Sequence, residues 1–151
     1  MLCVKVFLGV GVVHLRGDGS GVYTNRHACF LLRYHLVVVT RYRNPVLTGE
    51  VAEWVREYFE SFFRERGLRV KALEVMPDYV HVLFDAPPQI ALSAFIQALK
   101  TGSSRRVRST FPDEVGKYYW KPVFWSKSYF ICTVSDKSAA TVKHYIENQH
   151  E

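Results

Sequence analysis

Two side chains near the C-terminus, those of Tyr145 and Gln149, could act together on a phosphodiester. They lie four residues apart in a segment predicted to be helical, so both would lie on one helix face about a turn apart. A tyrosine hydroxyl can attack phosphorus if a metal or a base offsets its high pKa, and an amide oxygen can ligate a hard cation. Taken alone, such a pair is more often a packing tyrosine and a surface glutamine.

A histidine in a short apolar segment is the second candidate for chemistry. His81 lies between Tyr79 and Leu83, and strand alternation would place these three side chains on one face. A histidine on a strand face is usually a core residue whose hydrogen bonds are satisfied by its neighbours. It becomes a metal ligand only where it meets other donors in a polar pocket, because neutral imidazole is a common ligand. The segment alone leaves both interpretations open.

Two cationic segments could bind a polyanion. The first runs from Lys100 to Arg108 (KTGSSRRVR) and the second from Lys117 to Lys127 (KYYWKPVFWSK). Lysines and arginines neutralise phosphates, and exposed aromatic rings stack on unpaired bases, a combination suited to single strands. The alternatives are a solvated helix face for the first segment and a strand with core-facing rings for most of the second.

Composition agrees with a compact basic protein. The chain has 151 residues, of which 48% are hydrophobic and 15% aromatic, and this predicts one packed domain instead of a disordered chain. Lysine and arginine total 20 against 14 aspartates and glutamates, a formal charge of +6. Such an excess favours a polyanionic partner, although it is weak evidence without other features.

Cysteine usage and the N-terminal run bear on location. Cys3, Cys29 and Cys132 include no CxxC pair, so neither a disulfide framework nor a thiolate zinc site is indicated. The apolar run from Met1 to Val13 is too short to span a bilayer and lacks the basic start and cleavage site of a signal peptide. We therefore expect a cytoplasmic protein without a membrane partner, in which this run forms an extra strand or a poorly fitting extension.

The elements that must position these residues follow from hydrophobic periodicity and turn signals. Val51, Val55, Tyr58, Phe59 and Phe62 form the apolar face of a helix that Thr48 begins and Gly67 ends. The remaining predictions are strands over 29–40, 70–75, 80–84, 120–124 and 128–134, a turn over 76–79, and helices over 91–107 and 136–149, the last capped by Ser135 or Asp136.

This order of elements predicts an α+β fold, with an antiparallel sheet, helices packed on one face and a C-terminal helix that carries Tyr145. The ferredoxin-like or RRM-like scaffold has this arrangement. We assign residues 1–23 to an N-terminal extension or linker, because 14–25 are rich in glycine and turn formers. Residues 24–151 form the single domain.

Five separated blocks resemble one known family, and they occur in the order found in that family. The family is the single-tyrosine His-hydrophobic-His (HUH) transposases, including their REP-associated relatives, which mobilise insertion sequences as single-stranded DNA. The matching blocks are Tyr34–Arg43, Ala72–Leu83, Leu99–Arg105, Phe124–Phe130 and Val142–Gln149.

The resemblance implies a role for each candidate residue. Tyr145 would be the nucleophile that forms a 5′-phosphotyrosine link, and His81 and Gln149 would ligate a divalent metal, Mg²⁺ or Mn²⁺. The substrate would be DNA with hairpins at the ends of the element. Family members work as homodimers in which the last helix presents its tyrosine to the partner's metal site. The basic helix would hold the DNA through Lys100, Ser103, Ser104, Arg105, Arg106 and Arg108.

One departure from the family pattern bears on whether the protein is active. The family has histidines on both sides of the hydrophobic residue, whereas this chain has Tyr79 in the first position. A neutral phenol is a poor ligand for Mg²⁺ or Mn²⁺, so we expect weakened metal affinity. The alternatives to an active transposase are a catalytically impaired protein that binds DNA hairpins and an unrelated RNA-binding module on the same scaffold.

Overall fold

A computed structural model describes residues 4–8, 11–17, 23–24, 28–134 and 138–148 of the protein. In chain order the elements are β1 Val4–Leu8, β2 Gly11–Gly17, β3 Tyr23–Thr24, β4 Cys29–Phe30, β5 Arg33–Val39, α1 Gly49–Glu65, β6 Arg69–Met76, β7 Tyr79–Asp85, α2 Leu92–Thr110, α3 Pro112–Gly116, β8 Phe130–Thr133 and α4 Ser138–Asn148.

The main sheet has the strand order β6-β7-β5-β8, and every neighbouring pair is antiparallel. Its central strands, β5 and β7, are rich in valine, which packs well on a pleated surface that is covered on both sides. The predicted α+β class with an antiparallel sheet is confirmed.

The two faces of this sheet have different covers. Leu36, Val38, Val80, Val82 and Phe84 project into the main core, where they meet the apolar faces of α1 and α2. The opposite face belongs to the alternate residues of the same strands, since side chains of a strand alternate. There Val37 and Val39 pack with Val142 of α4. The last helix therefore covers the face to which Tyr79 and His81 belong.

Helix α1 agrees closely with its predicted bounds. It begins after Thr48, whose side chain makes no capping hydrogen bond, and it buries Val51, Val55 and Phe59 along one face. The chain reverses at Gly67, whose φ of +71° is a left-handed conformation that favours glycine. Helix α2 extends three residues beyond its predicted end at Val107, to Thr110.

Two strand predictions differ from the structure, and the start of one helix is untested. The strand predicted over 120–124 is wrong, since that segment is irregular and only Trp125 forms an isolated bridge, to Thr40. Phe124 and Trp125 instead pack their rings into the main core, so burial and not strand pairing explains the apolar pattern. The strand predicted over 29–40 is interrupted at 31–32. Helix α4 is described from Ser138, and its predicted caps, Ser135 and Asp136, lie outside the described residues.

The N-terminal strands form a second antiparallel sheet of order β1-β2-β3-β4. Tyr23 of β3 donates a hydrogen bond of 2.8 Å to buried Asp85 at the end of β7, and Arg33 pairs with the same carboxylate at 2.6 Å. Burial alone would raise the pKa of Asp85, but hydrogen bonds from Arg33 and Tyr23 hold it below its ordinary value. The division at residue 23 stays a prediction.

Candidate active site and basic groove

The candidate metal ligands of β7 lie at the centre of the sheet face that α4 covers. Tyr79 pairs with Val39 and His81 pairs with Val37 in the β5–β7 ladder. Tyr79 and His81 are two residues apart in one strand, so they share a face, as the sequence predicts. The His81 side chain is 21% exposed, so part of the imidazole reaches solvent.

A second histidine, His35 of β5, contacts His81 directly. The distance between His35 Nδ1 and His81 Nε2 is 2.9 Å, a hydrogen-bond distance. Burial lowers the pKa of both residues below the ordinary value for histidine, so both imidazoles are neutral at pH 7. One ring must therefore donate and the other accept. On its other side, His81 Nδ1 lies 3.9 Å from Glu74 Oε2 of β6.

Tyr79 does not fit the metal clamp that two histidines would form. Burial, followed by the nearby carboxylates of Glu74 and Asp78, raises the pKa of its phenol, so the hydroxyl stays neutral and ligates Mg²⁺ or Mn²⁺ poorly. Asp78 is held by Arg43 at 2.7 Å. Within the described part of the chain, no group of three or more His, Cys, Asp or Glu side chains is placed to hold a metal. Gln149, the other predicted ligand, lies outside the described residues.

Arg43 connects this region to α4. Besides its ion pair with Asp78, the guanidinium donates a hydrogen bond to the carbonyl of Ile146. Tyr42 and Arg43 both have a positive φ, 59° and 56°, a backbone conformation that residues other than glycine rarely adopt. Through these two contacts Arg43 connects α4 to the turn between β6 and β7.

Tyr145 lies on α4 above the same sheet face as Tyr79. Its ring stacks on Phe130 of β8, with centroids 4.8 Å apart and an interplanar angle of 28°. Tyr145 and Tyr79 both pack against the cluster of Val37, Val39 and Val142. The Tyr145 hydroxyl is buried in this conformation. The fold thus brings the predicted nucleophile and the His81 segment to one face of the sheet.

A basic groove of about 490 Å³ runs between α2 and the irregular segment that precedes β8. Four of the predicted DNA-binding residues line it: Lys100, Ser104, Arg105 and Arg108. Lys100 also anchors the groove wall, because its ammonium donates to the carbonyls of Lys127 and Ser128. The groove therefore combines cationic side chains with a wall that hydrogen bonds hold in place.

Two other predicted DNA-binding residues do not reach this groove. Ser103 is fully buried, where its hydroxyl donates to the Leu99 carbonyl and accepts from the Trp125 indole. Arg106 lies on a different side of α2, with its guanidinium over the Tyr58 ring. Ser103 and Arg106 are close to Arg105 in the sequence. Successive residues of a helix are rotated by about 100°, so their side chains point to different sides of α2.

Three further residues are candidates that the sequence patterns do not single out. Trp120 is 88% exposed next to the groove-lining segment, and the ammonium of Lys121 lies 4.7 Å from the centroid of its ring. His35 and Glu74 are the direct neighbours of His81. The signal in the sequence that points to His35 is a polar residue within the apolar run of β5.

Comparison with known proteins decides the family. Residues 28–149 match a family model described as "Transposase IS200 like". The chain belongs to this family. The chain is 40% identical over 122 residues to the ISDra2 transposase TnpA of Deinococcus radiodurans, which covers 81% of this chain and 86% of the relative. It is 30% identical over 135 residues to the IS200 transposase of Salmonella typhimurium, with coverage of 89% and 86%.

Solved structures agree with this transposase assignment. A crystal structure of a Deinococcus radiodurans R1 protein described as a transposase has a TM-score of 0.77 and 42% identity, and the match covers 84% of this chain and 97% of that one. A REP-associated tyrosine transposase bound to a REP hairpin has a TM-score of 0.52 at 12% identity, covering 79% and 69%, so it shares the fold. The protein is therefore a DNA transposase by family, and the unrelated RNA-binding alternative is set aside. None of the described helices of this transposase is long and apolar enough to cross a membrane.

Proposed function

We propose that this transposase cleaves and rejoins single-stranded DNA through a covalent 5′-phosphotyrosine at Tyr145. The observation that supports it most is the position of α4, which packs Tyr145 and Tyr79 against one cluster on the face that His81 shares. The direct test is a covalent protein–DNA adduct on labelled single-stranded element ends in the presence of Mg²⁺ or Mn²⁺.

The proposed step transfers one phosphodiester. The Tyr145 oxygen gives up its proton to a base or to water and attacks phosphorus, which forms the bond from tyrosine to the 5′-phosphate. The bond from phosphorus to the 3′-oxygen breaks, and that oxygen takes up a proton and leaves as a 3′-hydroxyl. The number of phosphoester bonds is conserved, so a 3′-hydroxyl can attack the tyrosyl phosphate and rejoin the strand without ATP.

Metal dependence is part of the proposal, with Mg²⁺ or Mn²⁺ as the cation and His81 and Gln149 as the ligands that the family resemblance implies. When bound, such an ion withdraws charge from the oxygens of the scissile phosphate. The chain's own contribution is the placement of His81, which the hydrogen bond to His35 orients. Tyr79 contributes no ligand, because its hydroxyl stays protonated.

A homodimer that shares its active sites fits the burial of the nucleophile. The Tyr145 hydroxyl is inaccessible while its ring stacks on Phe130, so attack requires α4 to leave this position. The Arg43 contact with the Ile146 carbonyl would break in that movement. Delivery of the released helix to the partner subunit is the arrangement that we propose.

The basic groove is the proposed surface for the DNA hairpin. Arg105, Arg108 and Lys127 line the groove, and such side chains provide affinity for phosphates without reading sequence. The REP-associated relative of similar fold is bound to a hairpin, which supports the same class of partner here.

Arg105→Ala should weaken binding of a DNA hairpin more than Arg106→Ala does. Arg105 lines the groove, whereas Arg106 is directed to the Tyr58 side of α2. Removing one phosphate contact should reduce the slope of log affinity against log salt by about 1. Fluorescence anisotropy at salt concentrations from about 50 to 200 mM, over which affinity changes steeply, measures the affinity and the salt slope of each variant. Equal losses for the two variants would place the DNA elsewhere.

Trp120→Ala should lower affinity for single-stranded DNA while leaving duplex binding almost unchanged. The ring is exposed beside the groove, and stacking on an unpaired base contributes about 1 kcal/mol at an exposed site. Trp120→Phe should retain part of the affinity for single-stranded DNA because a phenyl ring also stacks. Titration with an unstructured oligonucleotide measures the loss, and an equal loss on duplex DNA would contradict stacking.

A catalytically impaired hairpin-binding protein is the second candidate function. Tyr79 favours it, since the family's first metal-binding histidine is absent. This candidate predicts hairpin binding of wild-type strength with no covalent adduct at any Mn²⁺ concentration. The adduct assay on wild-type protein therefore separates the two functions.

A further inference from the structure

Tyr42 combines an exposed aromatic ring with an unfavourable backbone conformation. The residue is 59% exposed and lies in the short helical turn Arg41–Arg43, which follows β5. Its φ of 59° and ψ of 19° are left-handed, a conformation that is unfavourable for any residue with a Cβ atom. A buried ring could compensate for this by packing, but Tyr42 lies mostly in solvent. Residues held in such conformations cluster at binding and catalytic sites.

Arg41, the residue before Tyr42, is anchored to the wall of the basic groove. Its amide donates a hydrogen bond of 2.8 Å to the carbonyl of Phe124, which lines the groove. Its carbonyl accepts a hydrogen bond of 2.6 Å from the Tyr119 hydroxyl. The Arg41 guanidinium lies 4.8 Å from the centroid of the Tyr42 ring. A cation thus holds one face of the ring while most of the residue stays in solvent.

Arg43, the residue after Tyr42, is anchored on the side of the candidate active site. It pairs with Asp78 and donates to the carbonyl of Ile146, the residue that follows Tyr145. These contacts lead from the basic groove to the helix of the nucleophile across one turn, and Tyr42 is the central residue of that turn.

An unpaired DNA base is the ligand that suits this ring. Every base has a flat π face that stacks on an aromatic side chain, and arginine adds a cation–π contribution to such sites. In a duplex each base already stacks on its neighbours, so only a single strand offers this contact. The charge of Arg41 beside the ring attracts the phosphates that flank such a base.

We propose that Tyr42 stacks on an unpaired base in the single-stranded segment that connects the hairpin in the basic groove to the scissile phosphate at Tyr145. The turn holds the ring in solvent, where a base can reach it, and this gives the unfavourable backbone conformation a function. The inference rests on the proposed function, because it names a contact to the same substrate.

Binding of matched DNA hairpins to the full-length protein tests this contact. One hairpin has no tail, one has a short single-stranded tail, and one has a tail of equal length built from abasic sites, which keep the phosphates and lack the bases. Tails are placed at the 5′ end and at the 3′ end. Tyr42→Asn should weaken binding of a base-bearing tail about fivefold or more at one of these ends. Binding of the other hairpins should not change.

Tyr42→Phe is the matched control, because it removes the hydroxyl and retains the ring. Its affinity for every hairpin should equal that of the wild type.

Two further measurements distinguish stacking from a structural role of Tyr42. The slope of log affinity against log salt should be the same for Tyr42→Asn and the wild type, because the substitution removes no phosphate contact. The unfolding temperatures of Tyr42→Asn and Tyr42→Gly should be at least as high as that of the wild type. Asparagine and glycine adopt a positive φ more readily than tyrosine does.

Equal losses on base-bearing and abasic tails, or no loss on either, would overturn the contact. A reduced salt slope or a lower unfolding temperature would also overturn it, because Tyr42 would then support the turn and its arginines. The adduct assay on the wild type tests the proposed function separately. Tail binding that depends on Tyr42, without an adduct, would keep the contact and reject cleavage. An adduct with tail binding independent of Tyr42 would do the reverse.

Discussion

Tyr145→Phe should abolish the covalent protein–DNA adduct and strand rejoining while leaving hairpin affinity unchanged. The substitution removes only the hydroxyl oxygen that would bond to phosphorus, and loss of a nucleophile reduces activity by roughly 10⁴-fold or more in enzymes where it has been measured. The ring and its stacking on Phe130 remain, so α4 should keep its place on the sheet. Denaturing electrophoresis of labelled single strands with Mn²⁺ measures the adduct.

Tyr118→Phe is the matched control for this experiment. Tyr118 is a second tyrosine, whose ring is exposed. It lies after α3 and outside the cluster of Val37, Val39 and Val142. Its adduct yield should equal that of the wild type. An adduct that persists in Tyr145→Phe and disappears in Tyr118→Phe would show that Tyr118, and not Tyr145, is the nucleophile.

Tyr79→His should increase both Mn²⁺ affinity and the rate of cleavage. The new imidazole would share a strand face with His81 two residues away, which supplies the pair of nitrogen ligands that the family resemblance implies. We expect a gain of roughly 10- to 100-fold in metal affinity, the scale on which a group that supports a metal site acts. Mn²⁺ titration and the adduct assay, run on the same protein, measure the two effects.

Tyr118→His controls for the general effect of an added histidine, and it should leave both values unchanged. No gain of any kind from Tyr79→His would mean that the phenol is not what limits metal binding.

Local patterns determined a large part of this protein. The apolar spacing from Val51 to Phe62 specified α1, and the residues Pro77 and Asp78 specified the turn that joins β6 to β7. These features depend on neighbours within a few residues, so backbone preference and alternation are sufficient to predict them. The order of the five blocks was sufficient to predict the family, which the comparisons confirm.

Rotation around α2 was decided only in three dimensions. Ser103, Arg105 and Arg106 are neighbours in the sequence, yet one is buried against Trp125, one lines the groove and one lies over Tyr58. Which face of a helix is buried depends on the sheet and segment that pack against it. A count of charges along the chain contains no such information.

The sequence indicates Tyr145 as a candidate nucleophile, but the burial of its hydroxyl is known only from the packing of α4 against Phe130. The same holds for the surroundings of His81. The sequence alone shows that Tyr79 stands where the family resemblance implies a histidine, whereas His35 and Glu74 contact His81 from two other strands. Their approach is set by strand order and register, which arise from pairing between distant segments, and therefore only the tertiary structure could place them together.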